Sequence, residues 1–156
     1  MTQWAQRSRI PATYLNPAVI AAVIAAAAGG YEPAAKRPMI WPMAFIVSPL
    51  ILHRPTRDAL PRSAVSHLAT WVSKNPTLRA GFPERARLLS PSVSEGLRFG
   101  LRYRMLSVRG GALSGSVRRP TDPELATLLK QAGLVGRWLA KIEQPATIFA
   151  IFGVEP

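Results

Sequence analysis

The 156-residue sequence contains no cysteine. That excludes a disulfide framework, a thiolate nucleophile and any Cys-ligated zinc site, and it fits a reducing compartment, so a cytoplasmic location is expected. Acidic residues are scarce too: eight Asp and Glu stand against twenty Lys and Arg, a formal net charge of +12. The eight are Glu32, Asp58, Glu84, Glu95, Asp122, Glu124, Glu143 and Glu155. No two of them share an apolar helical face, as acid–base or metal chemistry would need. The two histidines, His53 and His67, are not at ligand spacing, and His53 reads as a helix-end residue. No Gly-rich loop ends in Lys-Ser/Thr, so the chain carries no P-loop, and no serine sits in a nucleophile-elbow pattern. These absences predict a protein that is not an enzyme, with no catalytic residues, no metal site and no cofactor of its own.

What is present is positive charge. A field of this size favours polyanions, whether nucleic acid, acidic protein or anionic lipid. Sixteen of the twenty cations are Arg, the side chain suited to bidentate phosphate and carboxylate pairing. The length suits one domain with a real core.

Along the chain, residues 1–15 hold Arg7, Arg9 and Pro11 without a sustained period and read as an N-terminal arm. Residues 16–156 read as a single, mostly helical domain. Asn16 and Pro17 form an N-cap and first-turn pair for an apolar helix expected to stop at Gly29-Gly30. Its apolar residues cover every face, which marks a buried helix. A basic start followed by an apolar run also fits a secretory signal, and hence a cationic secreted protein. Neither this run nor residues 39–52 is long enough to span a bilayer, so no membrane partner is expected. Residues 39–52 read as a core helix starting at Pro42 and kinked or capped near Pro49. Residues 63–74 read as an amphipathic helix carrying Leu68, Trp71 and Val72, residues 76–80 as a helical turn, and residues 83–89 as another helix.

Residues 90–119 have the clearest layout. A helix opens at Ser90-Pro91 and carries Arg98 and Arg102 on one face, with Arg104 near its end. Two short runs then flank Arg109-Gly110-Gly111, a hairpin signal. Helices followed by a hairpin give the order of a winged helix. Arg98, Arg102, Arg104, Arg109, Arg118 and Arg119 then form a candidate nucleic-acid-contacting set, better suited to phosphates than to base reading. Thr121 or Asp122 caps a further helix.

The last stretch, residues 133–156, is the most distinctive. Gly136-Arg137-Trp138-Leu139-Ala140-Lys141 precedes a dense apolar run over residues 145–152, closed by Gly153 and open to helix or buried strand. Either form needs cover, from the chain's own core or from another subunit. The text GRWLAK followed by PATIFAIFGV resembles the middle component of bacterial three-component ABC conflict systems. Leu15-Asn16-Pro17, Leu50-Ile51-Leu52-His53, Leu60-Pro61 and Gly81-Phe82-Pro83-Glu84-Arg85-Ala86 carry the resemblance through most of the chain. The resemblance implies a non-catalytic adaptor in an anti-phage system, partnered by an ABC ATPase related to chromosome-maintenance and recombination-repair enzymes and by an effector. ATP and Mg would belong to the ATPase. Arg137, Trp138, Phe149 and Phe152 are the candidate partner-binding anchors, because Arg and aromatics dominate interface energetics; core filling is the competing reading for Trp138 and both Phe. The alternative function is a winged-helix DNA-binding regulator. An adaptor beside a DNA-sensing ATPase can also make non-specific DNA contact, so the two readings overlap.

Overall fold

In the computed structural model, which describes residues 12–156, the centre of the core is the helix α1, Pro17–Ala35. A 3-10 turn, Ala12–Leu15, leads into it; the arm expected over residues 1–15 otherwise lies outside the described residues. After α1 come strand β1 (Met39–Ile40), a 3-10 turn (Trp41–Met43), and helices α2 (Ala44–Leu52), α3 (Arg54–Asp58), α4 (Leu68–Lys74) and α5 (Pro76–Arg102). The hairpin β2 (Leu106–Arg109) and β3 (Ala112–Gly115) follows, then α6 (Pro123–Leu139) and α7 (Pro145–Phe152). The fold is mainly helical with a small antiparallel sheet of order β1-β3-β2.

Asn16 caps α1 as expected, its side chain accepting from the Ala18 amide at 2.8 Å. The helix does not stop at Gly29-Gly30. It runs through both glycines and through Pro33 to Lys36, whose left-handed φ of 60° ends it. The glycines serve packing instead: a Cβ on Gly30 would lie 2.3 Å from the Gly133 carbonyl oxygen, and one on Gly136 would lie 2.0 Å from that of Ala27. Helices α1 and α6 therefore meet backbone to backbone. The alanines of α1 admit neighbours elsewhere in the same way, with Gly100 of α5 against Ala21 and Gly115 of β3 against Ala25. With 19 residues α1 is long and apolar enough to cross a membrane, contrary to the shorter span read from the sequence. Here its side chains from Ile20 to Ala25, with Ala27, Ala28 and Tyr31, are buried in the core.

The turn and two helices expected over residues 76–103 are one 27-residue helix, α5. Pro83 and Pro91 lie inside it, each removing one i→i−4 hydrogen bond. Phe82, Leu89, Val93, Gly96 and Gly100 are buried at helical spacing on one stripe, and that continuous burial carries the helix through both prolines. On the turn before Pro83, the Arg85 guanidinium donates to the Leu78 carbonyl at 2.6 Å.

The helix expected over residues 63–74 is only α4. The loop before it is tied down by other elements: Trp71 Nε1 donates to the Ala59 carbonyl at 2.7 Å, Trp138 Nε1 to that of Ser66 at 2.8 Å, and Lys141 Nζ to that of Val65 at 2.7 Å. The core helix expected to start at Pro42 opens as the 3-10 turn Trp41–Met43 and continues as α2 through Pro49 to Leu52; strand β1 precedes it and was not expected, since two residues are too few to show an alternating pattern. The hairpin forms as expected. Gly110 and Gly111 have φ of 59° and 79°, as a two-residue turn with positive φ at both positions requires. The C-terminal apolar run is helix α7, ended by Gly153 with φ 73°.

Candidate functional site

The residues singled out by sequence fall into three places. Arg98 and Arg102 stand exposed on the last turns of α5. Arg104 follows in a left-handed conformation, φ 61°, and lines a hollow with Glu32, Ser107 and Ser114. Arg109 ends β2 beside the turn, also exposed. Between these cations the surface is apolar: Leu101, Tyr103 and Val108 are exposed by 42%, 59% and 46%. The Arg102 guanidinium lies 5.9 Å from the Tyr103 ring centroid. The arrangement offers charge to phosphates or carboxylates and flat apolar surface beside it.

Arg118 and Arg119 lie beyond β3 and line a different hollow, with Pro120, Leu129 and Lys130. Lys130 also borders a cleft of ≈550 Å³ formed with Arg57, Arg62, Leu134 and Arg137. The structure thus joins Arg118 and Arg119, grouped by sequence with the hairpin, to Arg137, grouped by sequence with the C-terminal segment. Lys130 and Arg62 were missed because only tertiary packing brings them together. The visible signal was limited to a cation on the polar side of α6 and another in a Pro-rich loop.

Trp138, Phe149 and Phe152 lie in the chain's own core. Trp138 is 1% exposed, packs edge-on against Trp71 at 5.6 Å and spends its indole N–H on Ser66. Phe152 sits 4.6 Å from Phe82 between ring centroids, and Phe149 is buried. The C-terminal apolar segment is therefore covered by α5 and its neighbours rather than left open, and of the four anchors expected there only Arg137 faces solvent. An exposed aromatic was missed instead. Trp41, 46% exposed, packs edge-on with Phe45, and its backbone N–H donates to the Gly111 carbonyl at the hairpin turn. It lines a groove of ≈560 Å³ with Phe45, Pro83, Arg87 and Val154.

Among the described residues two ion pairs form, Arg54 with Asp58 at 3.7 Å and Arg87 with Glu84 at 2.7 Å. None of the arginines on the two cationic surfaces takes part. The groups with shifted acidity serve structure. The Tyr14 hydroxyl is pushed up by burial, then by its 2.8 Å hydrogen bond to Glu124. Arg87 holds Glu84 below the usual carboxylate range, mainly through their hydrogen bond. Burial lowers Arg85 from the ordinary guanidinium value. Among the described residues no three His, Asp or Glu gather as a metal site.

No curated protein and no solved structure matches the chain. A sequence model of one family, described as ABC-three component (ABC-3C) system Middle Component 3, matches residues 4–156.

Proposed function

The chain belongs to the Middle Component 3 family of ABC-three component systems, and from that premise we propose that it is a non-catalytic adaptor between an ABC ATPase and an effector in a defence system. The match over residues 4–156 carries this reading. The surface supports it: unpaired guanidiniums beside exposed apolar side chains suit docking better than bond-making chemistry. ATP and Mg then belong to the ATPase, and this subunit works in the cytoplasm without a cofactor. Expression of the tagged chain with its companion components, a high-salt wash and mass spectrometry test the reading. Retention of an ATPase and a second protein is expected; recovery of the chain alone would overturn it.

A second reading is favoured by the hairpin and what precedes it. Helix α1, β1, helices α2 to α5 and the hairpin, with strand order β1-β3-β2, suit a winged helix, with Arg98 and Arg102 on the helix before the wing and Arg109 at its tip. In this reading the subunit contacts DNA phosphates without reading sequence. Tight, salt-steep DNA binding by the isolated chain, with no companion retained, would favour a free-standing regulator over an adaptor.

A further inference from the structure

The cleft between α3, the loop after it and α6 sets Arg137, the one solvent-facing anchor of the adaptor reading, among residues that neither reading singles out. Its floor is apolar, from Leu60, Pro61 and Leu134, and its rim carries Arg57, Arg62, Lys130 and Arg137 with Asp58 and Gln131. Arg57 is already committed: it donates to the Ile51 carbonyl at 2.7 Å and lies 5.4 Å from the Tyr14 ring. The Asp58 carboxylate faces Arg54 at 3.7 Å. Arg62, Lys130 and Arg137 are exposed and make no ion pair or side-chain hydrogen bond with the described residues. Three uncommitted cations thus surround an apolar floor in a molecule of net charge +12.

We propose that this cleft docks an acidic, leucine-rich or similarly apolar segment of a companion protein of the system. Carboxylates would pair with Arg62, Lys130 and Arg137, while an apolar side chain would cover Leu60, Pro61 and Leu134. The floor decides between polyanions: a phosphate backbone has nothing apolar to place there, whereas a peptide offers charge and apolar surface together. The volume of ≈550 Å³ takes a few side chains and not a duplex. Lys130 continues the surface towards Arg118 and Arg119, so a longer acidic segment finds further partners along it.

The proposal rests on the adaptor reading for its protein partner, and the test separates the two. A labelled short peptide of alternating Glu and Leu is titrated into the full chain, with short duplex DNA as competitor. Companion retention is measured in parallel. Replacing Arg62→Glu, Lys130→Glu and Arg137→Glu together is expected to weaken peptide binding at least about tenfold and to release a companion. The Arg98→Glu, Arg102→Glu and Arg109→Glu variant is expected to keep both. The gentler change of the three cleft cations to Gln serves if charge reversal unfolds the chain, and a thermal melt verifies folding. Unchanged peptide binding with companions retained would overturn the proposal and leave the adaptor standing. So would duplex DNA that displaces the peptide and itself loses affinity in the cleft variant. A wild-type chain that binds peptide but retains no companion would overturn the adaptor reading alone.

Discussion

Gly136 shows how little room single residues have in this protein. An added Cβ would lie 2.0 Å from the Ala27 carbonyl oxygen and 3.0 Å from the Tyr31 amide, both backbone atoms. Helix α6 would have to move away from α1, so Gly136→Ala is expected to lower unfolding free energy by about 3 kcal/mol or more. Gly110 makes the contrast. Its surroundings are empty within 4 Å and only its φ of 59° resists a side chain, so Gly110→Ala should cost roughly 1 kcal/mol. Urea unfolding of the two variants measures the difference. Tyr14 gives a pH-dependent case. Its hydroxyl is raised by burial and by Glu124, so its neutral form is favoured in the folded chain. The stability it contributes is fully present below about pH 10, the ordinary tyrosine value, and is lost as pH rises through the raised folded value. Melts of Tyr14→Phe should lack this alkaline decline and show a loss of about 1 kcal/mol at neutral pH from the missing hydrogen bond.

Helix α5 is where local signals and packing disagree most. Pro76, Pro83 and Pro91 each read as a start or a break, yet the buried stripe from Phe82 to Gly100 holds one helix together. Pro91 is exposed, and Pro91→Ala restores an N–H facing the Arg87 carbonyl, so it should raise stability by about 1 kcal/mol or more. Leu89→Ala, on the buried stripe, should lower it by about 2–4 kcal/mol; denaturation of both variants measures the pair. What was legible in the sequence was local. Asn16-Pro17, Asp122-Pro123 and Gly110-Gly111 announced caps and a turn because their geometry depends on a few neighbouring residues. The ends of α1 and α5 were hidden because Gly30 and the prolines have two uses each, and only the partner helix decides which applies. The two-residue β1 and the Lys130 cleft had no local signature at all. The six arginines were legible as exposed cations, but not the division that sends Arg118 and Arg119 to a surface shared with Lys130.

At the scale of the whole molecule, the apolar C-terminal segment is kept inside and the cations outside, where they stand beside the exposed Leu101, Tyr103 and Val108. The core takes the aromatic C-terminal helix, with Arg79 donating to the Ile151 carbonyl at 2.8 Å to hold its end, and the unpaired arginines remain outside. If the hairpin face meets phosphates, affinity for duplex DNA should fall linearly with the logarithm of salt. Changing Arg98, Arg102 and Arg109 to Ala should then reduce that slope by roughly 3, measured by anisotropy over a salt series. The central claim concerns protein partners, and family membership ties it to a three-component system. Native mass spectrometry of the full chain co-expressed with its companion components tests it most directly. The account predicts a complex of fixed composition that holds this chain, an ATPase and a third protein, and that survives without nucleic acid. A spectrum containing only the free chain, or the two companions joined without it, would contradict the account.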